Sequence, residues 1–227
     1  MFKNLMQFWK GKDFLSDVMD EFKIMLSDSE YMFRSSYDIL VYNKKEPGLE
    51  QQILRTDKKV NRRQKVIRRR IMEHMTVQPT VDSPACLLLF SVSKDAERVG
   101  DYAKNLLEVS RLLEKPIDIE AYSKLFKDLD KDILNLFKQT SDAFIGSDEE
   151  KATKSWDSQK TIKKKCDDIV RTLAKSSYSV NECVCFTLIA RFIRRMSSHL
   201  TNIATSVVVP LTELDYYYEK DKEDKLI

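Results

Sequence analysis

Two acidic side chains, Glu97 and Asp101, carry the first chemistry that this sequence suggests. They are four residues apart in a helical pattern, so their carboxylates lie one turn apart on the same side of the helix. Like charges at this spacing repel by roughly 0.2–0.5 kcal/mol unless a cation lies between them. Gly100 between them costs about 1 kcal/mol in a helix, which indicates a close approach by another helix or by a ligand. We therefore treat the pair as a candidate site for a hard metal cation.

Two further oxygen ligands, Asp57 and Asn61, lie four residues apart in the preceding helical pattern. A short loop separates the two patterns, so the helices should pack antiparallel and bring both pairs together. The set Asp57, Asn61, Glu97 and Asp101 would suit a divalent or iron-type ion such as Mg²⁺, Mn²⁺, Ca²⁺ or iron. An ordinary charged helix surface would show the same spacing, and the residues alone leave both interpretations open.

A basic run on the same helix is the second candidate site. Its candidate partner-binding residues are Arg62, Arg63, Arg68 and Arg69. Such a face would attract an acidic protein partner or an anionic membrane surface, and a solvated helix face is the simpler interpretation. No nucleic-acid recognition motif and no interleaved aromatic residues accompany the run, so we expect no nucleic-acid partner.

Catalytic patterns are missing from the sequence. The histidines are His74 and His199, and a di-iron carboxylate bundle would place a glutamate three residues before each of them. Those positions hold Ile71 and Met196. We find no nucleophile elbow and no phosphate-binding glycine loop, and we expect no catalytic residues and no enzyme.

The composition favours long helices, and the sequence as a whole suggests a cytoplasmic protein. Only four Gly and five Pro occur among 227 residues, which leaves little material for many turns. No apolar run approaches the ~20 residues of a membrane helix, and no leader peptide is apparent. We read the four cysteines as reduced thiols. The segment 1–9 is amphipathic, and contact with the inner face of the membrane is the minority interpretation for it.

Apolar periodicity predicts six long helices and an all-α fold. Ser147 with Glu150, and Ser179 with Glu182, have the spacing of capping boxes at the starts of the fifth and sixth helices. The predicted helices span residues 13–42, 49–75, 83–113, 119–145, about 148–175 and about 180–209.

The six helices form two similar sets of three. Lys115-Pro116 is the predicted boundary, which gives domains of residues 1–114 and 115–227. In this alignment Asp57 corresponds to Asp157, and Asn61 corresponds to Thr161. Two tandem antiparallel three-helix bundles are the economical architecture.

These motifs resemble those of the PhoU family, regulators of phosphate uptake, over nearly the whole chain. The strongest segment is Glu97-Arg98-Val99-Gly100-Asp101, followed by Asn105, and the segments 57–61 and 77–80 resemble further family motifs. The resemblance implies two PhoU-like bundles. In the second bundle, Arg194 and Ser198 stand where the family signature has acids, so its motif is degenerate.

The resemblance also implies function. PhoU proteins bind iron, zinc or similar metals through these acids, so we expect one metal site in the first bundle and none in the second. They are cytosolic, often dimeric regulators that link a membrane phosphate transporter to a sensor histidine kinase. We therefore expect contact with a phosphate transporter or its ATPase, a sensor kinase as a further candidate, and a homodimer. The alternatives are a non-regulatory metal-binding helical protein and a metalloenzyme that uses Glu97 and Asp101.

Overall fold

The computed structural model describes residues 13–78 and 83–215, and every regular element within them is helical. The all-α prediction is confirmed. The predicted N-terminal amphipathic segment lies outside the described residues, and none of the described helices is both long and apolar enough to cross a membrane. The elements are α1 (Asp13–Tyr42), α2 (Leu49–Val77), α3 (Ser83–Ser110), α4 (Ile119–Phe126), α5 (Leu129–Gly146), α6 (Glu149–Leu173), α7 (Val180–Thr205) and a 3₁₀ turn (Leu211–Glu213).

The long helices form two bundles of three. In the first bundle α1, α2 and α3 pack against one another, and in the second α5, α6 and α7 repeat the same pairing. Corresponding helices join the bundles, because α1 packs on α5 and α3 packs on α7. Phe22 of α1 contacts Phe144 of α5, with ring centroids 4.7 Å apart. The prediction of two tandem three-helix bundles is confirmed, and the predicted boundary falls in the connection between α3 and α4.

The predicted fourth helix is wrong in one respect, because it is broken into α4 and α5. Lys127 and Asp128 both adopt positive φ angles, 48° and 57°. The Lys127 amide still bonds to the Ser123 carbonyl, which ends α4. Lys165 of α6 donates to the Lys127 carbonyl oxygen at 2.8 Å and also pairs with Asp132. A side chain from another helix therefore satisfies the backbone group that the break frees.

One predicted helix cap is wrong and the other is confirmed. Ser147 adopts a left-handed conformation at the end of α5, and the carboxylate of Asp148 instead accepts from the Lys151 amide at 3.0 Å. Asp148 is therefore the N-cap of α6. At the start of α7, Ser179 and Glu182 form the reciprocal capping box that the sequence predicted.

A close approach of three helices explains Gly100. A Cβ atom at this position would lie 3.3 Å from Ser29 Oγ on α1 and 3.4 Å from Val60 Cγ1 on α2. A side chain at this position would therefore need Ser29 and Val60 to move by a few tenths of an ångström. The cost of glycine within a helix is therefore offset by tight packing at the centre of the first bundle, next to Glu97 and Asp101.

Two glycine substitutions should change stability in opposite directions. Gly48 precedes α2 with a φ of 83°, so Gly48→Ala should lower the free energy of unfolding by about 1 kcal/mol through backbone strain. Gly146 ends α5 with open space around it, so Gly146→Ala should raise that energy by roughly 0.5 kcal/mol. Urea unfolding of both variants checks this, and equal destabilisation by both would contradict it.

Candidate functional site

The acids predicted from the sequence do come together, and a lysine lies between two of them. Lys104 Nζ is 3.3 Å from Asp57 Oδ1 of α2 and 3.1 Å from Asp101 Oδ1 of α3. The side chain of Asp57 is only 12% exposed. A carboxylate in such a position needs a charged or hydrogen-bonding partner, and the ammonium group supplies one.

Arg98 provides a second positive charge at the cluster. Its guanidinium lies 3.0 Å from Asp101 and 3.6 Å from Glu97. The pKa of Glu97 is nevertheless raised, chiefly by burial and next by the Asp101 charge, with a smaller contribution from Asp57. Asn61 is half-buried and makes no hydrogen bond to these acids in the described chain. We call Asp57, Glu97, Asp101 and Lys104 the acidic cluster.

The acidic cluster does not fit a metal ion in this arrangement. Within residues 13–78 and 83–215, no group of three or more acidic, histidine or cysteine side chains is placed to hold one. The Lys104 ammonium lies between two of the oxygens that an ion would need, so a cation would have to displace it. The metal site expected at Asp57, Asn61, Glu97 and Asp101 stays a prediction.

The predicted partner-binding arginines divide into two groups. Arg63 pairs with Glu21 and lies 3.7 Å from Asp28 of α1, and Arg68 lies over the Phe90 ring at 5.0 Å. These two arginines therefore join α2 to its neighbours. Arg62 and Arg69 are exposed, and Arg69 makes only a long contact with Glu73.

Exposed basic residues on α2 form one continuous line. They follow steps of three and four residues, which places them on the same side of the helix. We call this set the α2 basic stripe, and its members are Arg55, Lys58, Arg62, Lys65 and Arg69.

Sequence reasoning missed a polar contact between the bundles. Asp95 is 1% exposed and lies 2.7 Å from Nδ1 of His199 on α7. The ring of His199 also stacks on Tyr102 of α3. The available signal was the position of Asp95 near the apolar side of its helix, which indicates burial against another helix.

The correspondence between the bundles differs from the predicted one. Asp157 and Thr161 are exposed, whereas Asp57 is buried. A shift of two residues aligns the buried faces of α2 and α6, since Ile53, Val60, Ile67 and Ile71 then match Ser155, Ile162, Ile169 and Leu173. Asp57 therefore corresponds to Gln159, and Asn61 to Lys163. The predicted pairs of α3 and α7 keep their register, with Glu97 matching Arg194 and Asp101 matching Ser198.

The fold is a tandem pair of three-helix bundles, and only the first of them has an acidic cluster between its second and third helices among the described residues. The PhoU domain matches this chain twice, at residues 22–110 and 126–207. The chain belongs to the PhoU domain family. Phosphate-specific transport system accessory protein PhoU homologs from two strains of Caulobacter vibrioides are 24% identical to it over 184 residues, which is 78% of this chain and 80% of theirs.

Two solved structures have the same fold. PhoU from Pseudomonas aeruginosa superposes with a TM-score of 0.74 at 20% identity, over 86% of this chain and 95% of that one. The phosphate transport system regulatory protein PhoU from Streptococcus pneumoniae superposes with a TM-score of 0.70 at 16% identity, over 90% and 97%.

Substitutions in the acidic cluster should have opposite effects at neutral pH. The raised pKa of Glu97 means that its carboxyl stabilises the fold below its ordinary value of 4.5 and that this contribution is lost as pH rises through the folded pKa. Glu97→Gln should therefore be more stable than the parent at pH 7, with the gain vanishing near pH 4. Asp101→Asn should be less stable at pH 7, because Arg98 and Lys104 lose an acceptor. Urea unfolding at both pH values measures this, and a loss of stability in Glu97→Gln at pH 7 would contradict it.

Removing the lysine of the acidic cluster should favour cation binding. In Lys104→Gln the repelling ammonium is gone, so Mn²⁺ affinity by calorimetry should rise about ten-fold or more, which is ~1.4 kcal/mol. The double variant Lys104→Gln with Asp101→Asn is the control and should lose that gain. Tight Mn²⁺ binding by the parent protein that Asp101→Asn abolishes would instead show that the ion displaces Lys104.

Proposed function

We propose that this chain regulates phosphate transport as an accessory protein that acts by protein contact. The observation that carries the proposal is the double match to the PhoU domain, which extends over both bundles. The Caulobacter relatives are named as accessory proteins of a phosphate-specific transport system, and the Streptococcus structure is named as a regulatory protein of such a system. Regulation without catalysis agrees with the absence of a catalytic motif from the sequence.

The α2 basic stripe is the surface that best supports a protein partner. The inner face of α2 packs on α1 and α3, and the stripe occupies exposed positions on the other side. Within residues 13–78 and 83–215, the 3.9 Å contact between Arg69 and Glu73 is the one ion pair that its cations make. An acidic surface on the partner would gain both faster association and correct orientation from such a stripe.

The partner that fits this chemistry is a membrane phosphate transporter or its cytoplasmic ATPase, with a sensor histidine kinase as a further candidate. Contact at the membrane would place the protein in the cytoplasm, peripheral to the inner face. We propose a homodimer as the working form, which light scattering of the purified chain would test. No observation on the described residues favours the metalloenzyme alternative, since Lys104 and Arg98 already pair with the carboxylates of the acidic cluster.

Charge reversal on the stripe should abolish regulation without unfolding the protein. The variant Lys58→Glu, Arg62→Glu, Lys65→Glu changes only exposed residues, where substitutions usually alter stability by no more than about 0.5 kcal/mol. Uptake of labelled phosphate is measured in host cells that lack the gene and carry a plasmid copy. The parent gene should restrain uptake in phosphate-rich medium, and the triple variant should leave it unrestrained.

A second triple variant controls for the change in net charge. Lys138→Glu, Lys164→Glu, Lys175→Glu reverses three exposed lysines of the second bundle, and it should restore regulation like the parent gene. Full regulation by the stripe variant would show that the stripe is only a solvated face. If loss of the gene left phosphate uptake unchanged, the proposed function itself would be overturned.

A further inference from the structure

The second bundle has a cleft of roughly 400 Å³ between α6 and α7, whose chemistry is the reverse of that of the acidic cluster. Its lining residues include cations, hydroxyls and an amide. The members that matter here are Gln159, Lys163, Arg194, Arg195, Ser198 and Thr201.

This cleft occupies the place in the second bundle that the acidic cluster occupies in the first. With the two-residue shift between α2 and α6, Asp57 and Asn61 correspond to Gln159 and Lys163. Gln159 Nε2 lies 3.5 Å from Ser198 Oγ, and Ser198 matches Asp101, so this contact supports the alignment. The three acids of the first bundle are replaced by an amide, an arginine and a hydroxyl, and a lysine replaces Asn61. Where the first bundle has carboxylates around the Lys104 ammonium, the second bundle therefore has groups that suit an anion.

The cations of the cleft are only partly neutralised. Arg194 pairs with Asp167, whereas Lys163 and Arg195 are exposed and make no ion pair in the described chain. One carboxylate, that of Asp215, also lines the cleft and opposes an anion there. It lies 3.7 Å from Lys94, and its pKa is raised by burial and by Asp95. Positive charge therefore exceeds negative charge at the cleft.

A buried hydroxyl in the cleft lacks a partner. Thr201 stands at the position of Lys104 in the first bundle, is 2% exposed, and its Oγ1 makes no hydrogen bond to any described residue. Leaving a buried hydroxyl unsatisfied costs about 1–3 kcal/mol, and an oxyanion in the cleft would accept a hydrogen bond from it. The amide of Gln159, which is 8% exposed, is a second donor held at the same place.

We propose that this cleft binds the phosphate group of a small molecule. Guanidinium and ammonium groups hold phosphate by charge-assisted hydrogen bonds, and the hydroxyl and amide add neutral donors. Inorganic phosphate and a small organic phosphate share this chemistry, and the cleft has room for the larger of the two. Trp156 also lines the cleft, and Lys160 lies over its ring at 5.1 Å. The site lies away from the α2 basic stripe, so it does not depend on the proposed docking.

The experiment uses the fluorescence of Trp156 as its probe. Trp9 is the second of two tryptophans in the sequence, so Trp9→Phe in the full chain leaves a signal from the cleft alone. Inorganic phosphate and AMP are titrated separately at constant ionic strength. At least one should give a saturable change, with the tighter of the two identifying the source of the phosphate group.

Two matched double variants decide where the phosphate binds. Lys163→Gln with Arg195→Gln should weaken binding about ten-fold or more, equivalent to ~1.4 kcal/mol. Lys164→Gln with Arg191→Gln removes two exposed charges from the same helices outside the cleft, and should change binding less than about two-fold, because solvent and salt screen distant charges. Urea unfolding confirms that both doubles are folded.

Two single variants test the neutral donor and the opposing carboxylate. Thr201→Val keeps the volume and removes the hydroxyl, so phosphate binding should weaken while stability does not fall. Asp215→Asn should tighten binding, because it removes the negative charge that opposes an anion.

Two results would overturn the proposal. One is the absence of saturable binding by either probe, and the other is equal weakening in the two double variants. If neither small phosphate binds but the protein sediments with anionic lipid vesicles in a way that depends on Lys163 and Arg195, the cleft is assigned to a membrane surface.

Discussion

A buried carboxylate fixes how the two bundles pack. Asp95 is 1% exposed on α3, and burying it without a partner would cost several kcal/mol. His199 of α7 satisfies it at 2.7 Å, and Tyr102 stacks on the same imidazole ring. The apolar contacts between α1 and α5 tolerate small sliding because they are non-directional, whereas this hydrogen bond does not. The register between α3 and α7 sets how the two halves are placed against each other.

Asn181 adds a second directional contact beyond α3. Its side chain donates to the Leu112 carbonyl and accepts from the Glu114 amide, so the start of α7 is joined to the connection between the bundles. Arg194 and Ser198 of α7 face α6, where Arg194 pairs with Asp167 and Ser198 accepts from Gln159, as Glu97 and Asp101 of α3 face α2 in the first bundle. The scaffold therefore repeats a site, and the residue types at that site decide its chemistry.

Much of this structure could be predicted from local signals, and the rest depends on contacts between helices. Apolar periodicity and the Ser179 capping box predicted the long helices. The break at Lys127 could not be predicted, since it contains neither Gly nor Pro and depends on Lys165 from another helix. The spacing of Glu97 and Asp101 indicated a cluster with Asp57. The bridging position of Lys104 follows from the separation of α2 and α3, which no spacing along one helix reveals.

The two bundles offer a partner different surfaces despite their similar shape. The α2 basic stripe consists of five exposed cations at steps of three and four residues. With the shift that aligns the buried faces, the corresponding positions on α6 are Asp157, Lys160, Lys164, Asp167 and Arg171. Two acids among three basic residues leave little net field there, so an acidic partner would be attracted to α2 far more than to α6. The repeated scaffold therefore presents one strongly basic face, on α2, rather than two. Electrostatic complementarity at that face would determine the orientation of a partner more than its total affinity.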